Sequence, residues 1–190
     1  YFNYSAEIQL QRYLQRIEVL IAKRLFGLAG EMIRKAERLA LKYDSFLYLL
    51  VICEWKQKII LLQSDYKGMA DYRGKGYDKE IRYIENYKNI LHYNKLGLDQ
   101  KYQEESALGR HAGSSDKTIK QFLDNPLLKT ESKAHTHTAR ELHYCLLTNL
   151  YYWKQDWKQC YENGKKFIRL FEQRPVYQQD KINSYIRYIG

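Results

Sequence analysis

The chain has 190 residues, a net charge of +10, two prolines, ten glycines and three cysteines. That length supports one domain with a substantial core, and so little proline leaves few points where a helix is forced to break. No apolar run approaches the roughly 18–20 residues of a membrane span, and long segments rich in Leu, Lys, Gln, Glu and Arg without β-branched alternation predict an all-α protein.

The first helix is expected from Ser5, a favourable N-cap, with Ile8, Leu14, Ile17, Leu20 and Ile21 at three- and four-residue spacing to about Lys23. Leu25-Phe26-Gly27 is the predicted break. A second helix follows, with Ala29, Ile33, Ala36 and Ala40 on one face and Arg34, Lys35, Glu37 and Arg38 on the other, and it ends at Tyr43-Asp44-Ser45. The third, about Phe46 to Leu62, is apolar nearly all round in its first half and is expected to lie buried between neighbours. Gly68, Gly74 and Gly76 predict a loop or weak helical turn over Lys67–Gly76, since each glycine costs a helix about 1 kcal/mol relative to alanine.

From Tyr77 the pattern recovers, with Ile81, Ile84, Tyr87 and Leu91 in register. A break is expected near Lys95-Leu96-Gly97, then a further helix over Asp99–Leu108. Arg110–Ser115 is the predicted mobile loop. Ser115-Asp116 caps a short helix to about Leu123, which Asn125-Pro126 stops. A long helix over Glu131–Lys154, another over Trp157–Glu172 and a last one from Gln179 complete the chain, with Pro175 between the final two.

Two of these helix pairs carry a recognisable series. In the C-terminal pair Tyr144, Leu147, Thr148 and Tyr151 are followed by the turn Asp156-Trp157 and the small residue Cys160. In the N-terminal pair Tyr13, Leu20, Phe26, Ala29, Ile33 and Ala36 fall at corresponding places. The chain thereby resembles the tetratricopeptide repeat, a helix–turn–helix unit of about 34 residues. It departs from that pattern at the turn glycine, which is Arg24 in one pair and Gln155 in the other, at Arg16 where leucine is usual, and at Gly164 and Phe167 on the last helix.

The resemblance implies an α-solenoid, a right-handed superhelix of antiparallel helix pairs at about 5–43 and 131–174. An irregular central section at about 46–124 and a terminal helix at about 179–189 complete one domain over 1–190. It also implies a concave face lined by the first helix of each pair, which places Gln11, Leu14 and Glu18 in one unit and Asn149, Tyr152 and Trp153 in the other. The chain begins with tyrosine, so a piece of a longer protein is expected.

Catalytic chemistry finds no pattern to rest on. His135, His137, Glu141 and His143 have metal-ligand residue types, but His135 and His137 point about 200° apart on a helix, so an exposed helix start carrying histidines is the reading. Arg73-Gly74-Lys75-Gly76 lacks the phosphate-loop pattern. Cys53, Cys145 and Cys160 form no CxxC pair and read as buried free thiols of a cytoplasmic protein. No cofactor or metal is expected.

The positive charge is diffuse rather than gathered in a stripe. The expected function is a non-enzymatic protein–protein interaction or scaffold module, taking a peptide or partner helix, with an acidic partner favoured by the charge. The alternative is RNA or single-stranded DNA binding by basic residues interleaved with tyrosines, as in Tyr72-Arg73, Arg82-Tyr83, Tyr87-Lys88 and Lys101-Tyr102.

Overall fold

The computed structural model describes residues 6–108 and 116–173. Among them every regular element is helical and no strand occurs. The helices are α1 (Ala6–Ala22), α2 (Phe26–Lys42), α3 (Phe46–Leu62), α4 (Tyr66–Asp71), α5 (Tyr77–Leu108), α6 (Asp116–Leu123), α7 (Pro126–Lys129), α8 (His137–Trp153) and α9 (Trp157–Gln173). A π-helical turn, Tyr72–Gly76, joins α4 to α5, and a 3-10 turn, Glu131–Lys133, precedes α8. The chain divides into two compact units, Tyr1–Tyr87 and Lys88–Gly190, with the boundary inside α5. The loop expected over Arg110–Ser115 and the terminal helix expected over 179–189 lie outside the described residues.

One turn recurs. Helices α1, α2, α3 and α4 begin at residues 6, 26, 46 and 66, and α8 and α9 at 137 and 157, so a helix starts every 20 residues in both stretches. Each connection has three residues, and its middle one is left-handed: Arg24 (φ 58°), Asp44 (49°), Ser64 (52°) and Gln155 (58°). The next amide reaches back five residues to a carbonyl otherwise orphaned at the helix end. Leu25 bonds Leu20 (2.9 Å), Ser45 bonds Ala40 (2.9 Å), Asp65 bonds Ile60 (3.1 Å) and Asp156 bonds Tyr151 (2.9 Å). These are Schellman closures without glycine. The residue that closes one helix opens the next: the carbonyls of Leu25, Ser45, Asp65 and Asp156 accept from Ala29, Leu49, Met69 and Cys160.

Close approach sets the core of the first unit. Ala29, Ala36 and Ala40 of α2 are fully buried and let α1 and α3 pack on either side of it. Leu10, Ile17, Leu49 and Ile52 fill the remaining space, each contributing roughly 1.5–3 kcal/mol by leaving water. In the second unit α8 packs on α9 through Tyr144, Phe167, Leu170 and Phe171, while Tyr93 of α5 is wholly enclosed.

Of the two alternatives for Lys67–Gly76 the helical one holds, and it continues through the π-turn. Three expectations are corrected. α5 runs unbroken through Leu96-Gly97, because Tyr93 is buried and Gln100 donates to the Leu146 carbonyl (3.3 Å), anchoring both sides of the glycine. The helix expected from Glu131 starts at His137 instead. Asn89 holds the preceding segment extended, donating to the Lys133 carbonyl (2.9 Å) and accepting from the His135 amide (3.1 Å), and Thr136 then caps α8 at the Ala139 amide (3.1 Å). Finally, α3 is buried on one side only: Phe46, Leu49, Ile52 and Cys53 are enclosed, whereas Leu47, Leu61 and Leu62 are exposed.

The glycines explain why the central helix survives them. A Cβ on Gly76 would lie 2.7 Å from the Tyr72 ring, and one on Gly68 would meet the Asp65 carboxylate that caps α4. Gly74 faces open space. Gly74→Ala is therefore expected to stabilise the protein by about 1 kcal/mol, following helix propensity. Gly76→Ala is expected to destabilise it by roughly 1–2 kcal/mol, because the displaced Tyr72 ring loses its packing and hydrogen bonds. Urea unfolding of the two variants measures both signs.

Candidate functional site

The π-turn of the first unit is held by a polar network. The Tyr72 hydroxyl shares its hydrogen between the Glu80 carboxylate and the Cys53 carbonyl (3.2 Å), and it accepts from Gln57 Nε2 (3.3 Å), which also donates to Glu80 (2.8 Å). Burial, together with the bond to Glu80, raises the Tyr72 pKa, so the phenol stays a donor. Beside it, Glu37 of α2 accepts from Lys56 of α3 (2.7 Å) and Lys79 of α5 (2.6 Å), tying three helices with one carboxylate. Burial alone would raise the Glu37 pKa, but the two ammonium groups outweigh it and hold it below 4.5. π-turns are rare and often mark functional positions.

An apolar groove of about 230 Å³ opens over this turn, lined by Gln57, Ile60, Leu61, Met69, Tyr72, Arg73 and Tyr77. Tyr77 stands edge-on to Tyr72, with ring centres 5.8 Å apart. From the groove an apolar stripe runs along α5: Tyr77, Ile81 and Ile84, at i, i+4 and i+7, are 49–53% exposed. Sequence periodicity finds this stripe but not its direction. The α5 side chains that turn inward are Tyr83 in the first unit and Asn89, Ile90, Tyr93 and Gln100 in the second. The seven-residue spacing continues at Leu91 and Leu98, both exposed, in the second unit.

Within each unit the residues implied by the repeat alignment are exposed or half-buried. Gln11 and Glu18 are exposed and Leu14 is half-buried, on one face of α1. Glu18 lines a second groove of about 390 Å³ with Ile21, Ala22, Arg24, Phe26, Lys58 and Leu62. In the second unit Tyr152 is exposed, while Asn149 and Trp153 are half-buried. The Tyr152 ring meets Trp157 edge-on across the α8–α9 turn, with centres 5.7 Å apart.

The histidines are structural, and the expectation of an exposed helix start is corrected. His137, Glu141 and His143 are all buried; of these four residues His135 alone is exposed. A carbonyl can only accept, so His137 Nε2–H donates to Leu170 O (3.0 Å) and His143 Nδ1–H to Leu127 O (3.2 Å), where the Tyr93 hydroxyl also donates (2.7 Å). Burial pushes the His143 pKa down, keeping the ring neutral, and pushes Tyr93 up to about 12. His137 Nδ1 lies 3.2 Å from Glu141, as their i, i+4 spacing implies. The described residues hold no group of three or more His, Cys, Asp or Glu side chains arranged to bind a metal ion.

Cys53, Cys145 and Cys160 form no disulfide, and burial raises the pKa of Cys53 and Cys160 away from the reactive thiolate. No described helix is long and apolar enough to cross a membrane.

Sequence reasoning named Tyr72 and Arg73 only as a basic–aromatic pair and did not gather them with Met69 at a groove, because it read the glycines around them as a loop or weak helical turn. Two of the tyrosines set beside basic residues are spent on packing, Tyr72 in the network above and Tyr83 in the core. What the fold defines is an all-helical protein with a polar-braced groove and an apolar stripe in its first unit. No family model, curated protein or solved structure matches the chain.

The ion pairs give a pH test. A carboxyl with a depressed pKa adds stability that is present above its unfolded pKa and lost as pH falls through its folded one. Wild type should therefore lose stability as pH falls below about 4.5, and Glu37→Gln should flatten that part of the loss. At neutral pH the variant should cost roughly 1 kcal/mol, between the values for exposed and enclosed pairs. Urea titrations at several pH values measure both effects.

Proposed function

We propose that this protein is a non-enzymatic protein–protein interaction module, a tetratricopeptide-like array of helical hairpins that accepts a partner helix on an exposed apolar surface. The repeat reading is supported by helices that start every 20 residues and by left-handed residues at Arg24 and Gln155, where the family's turn glycine falls. Ala29 and Ala36, at its two small positions, are fully buried. A hairpin of 40 residues is longer than the family's unit of about 34, so the likeness lies in the hairpin and not in the repeat length.

The observation that carries the functional reading is the stripe Tyr77, Ile81 and Ile84 running out of the groove at Leu61 and Met69. Exposed apolar side chains at i, i+4 and i+7 are what an amphipathic partner helix packs against, and a contiguous apolar patch on a surface marks an interaction site. The methionine lets the groove adapt to the side chain it receives. Arg73, the one charged residue lining the groove, and the net charge of +10 favour a partner with acidic flanks. Such a module works by presentation, in keeping with a cytoplasmic scaffold.

Selection of binding sequences from a displayed library of helix-forming peptides tests this. Recovered sequences should share apolar residues at i, i+3 or i+4, and i+7, with acidic neighbours. Ile84→Glu is expected to weaken their binding at least tenfold and Arg73→Glu severalfold, with unfolding midpoints unchanged because both residues are exposed. Recovered peptides without apolar periodicity, or indifferent to Ile84→Glu, would sink the reading.

A further inference from the structure

The second unit carries a different surface. Trp157 and Tyr161 stand one turn apart on α9 and are 61% and 64% exposed; Tyr152, 59% exposed, meets Trp157 edge-on. One further turn along the same face, Lys165 lies over the Tyr161 ring, with its Nζ 5.0 Å from the ring centre. Lys154 and Lys158 flank the pair, both exposed. Of the nearby acids, Asp156 is spent on capping α9 at the Gln159 amide (3.2 Å), and Glu162 lies one residue round the helix from Tyr161. Over 88–190 the chain has 17 basic and 11 acidic side chains.

We propose that this aromatic–lysine stripe binds single-stranded nucleic acid, with bases stacked on Trp157 and Tyr161 and phosphates held by Lys154, Lys158 and Lys165. Flat rings that stay in water on a well-packed helix give a sequence-tolerant stacking platform, and lysines along it supply the counter-charge of a polyanion. The chemistry differs from that of the α5 surface, where the exposed residues are chiefly aliphatic and suit a helix. It differs also from a peptide hot spot, where aromatic anchors sit in desolvated pockets; these side chains are more than half exposed. A strand, unlike a duplex, can present base faces to them. The inference does not depend on the partner-helix reading, since the residues belong to the other unit.

Fluorescence anisotropy of the whole chain with a labelled single-stranded RNA of about 12 nucleotides tests it, at roughly 50 and 200 mM salt. Binding should weaken steeply with salt. Trp157→Ala and Tyr161→Ala should each weaken it by roughly 5- to 100-fold, the range for losing one stacked base. Trp157→Phe should keep most of it. Lys165→Gln should lower the logarithmic salt slope by about one phosphate contact. Thermal melting should be unaltered in all four, because the residues are exposed.

Absence of binding at the lower salt would overturn the proposal. So would binding indifferent to Trp157→Ala and Tyr161→Ala, which would make the charge a general attraction. Equal affinity for a duplex would overturn stacking, and displacement by polyglutamate as effective as by unlabelled RNA would assign the stripe to acidic peptides instead.

Discussion

The left-handed residue between consecutive helices is the constraint on which the rest of the structure hangs. A helix of 17 residues leaves its last carbonyls without partners. Here a single residue at positive φ turns the next amide back to close them, and the same residue after it starts the following helix. Three residues are then enough to reverse the chain. With so short a connection, neighbouring helices have little choice but to pack antiparallel, and alanine on α2 lets them come close. Glycine would take that conformation without strain, yet Arg, Asp, Ser and Gln occupy it; at four separate turns the closing hydrogen bonds and the packing they permit outweigh a steric cost of about 1–2 kcal/mol each.

A second device keeps the central helix intact where its sequence argues for a loop. Gly76 costs helix propensity but leaves room for the Tyr72 ring, and that ring carries its hydroxyl to Glu80, Gln57 and the Cys53 carbonyl. Glu37 of α2, with Lys56 and Lys79, ties the same α3 and α5 to a further helix. The side chains that stabilise the π-turn thereby shape the groove above it, since Gln57 and Tyr72 serve both. Removing the bracing would change the surface as well as the stability.

The two exposed surfaces follow from what the core consumed. α5 turns Tyr83, Ile90 and Tyr93 inward, and its aliphatic stripe is left facing water. α9 spends Phe167, Leu170 and Phe171 on α8 and keeps Trp157 and Tyr161 outside. Periodicity identifies such faces in a sequence, but a helix with two apolar stripes does not announce which one the tertiary structure will cover.

By itself the sequence determined the helices and most of their ends. Period-3.6 patterning, Asn125-Pro126, and the turns at Arg24, Asp44, Ser64 and Gln155 are local features, and local chemistry is what sequence reasoning can read. Only the tertiary structure decided that Asn89 would replace one turn of helix with an extended segment before His137, and that His137 and His143 would be enclosed donors to distant carbonyls. It also decided that Gly76 would leave room for a ring, and that the Tyr152 ring would meet Trp157 across the turn. Each of these depends on residues brought together from different turns or helices, and such contacts leave no trace in the spacing of a single segment.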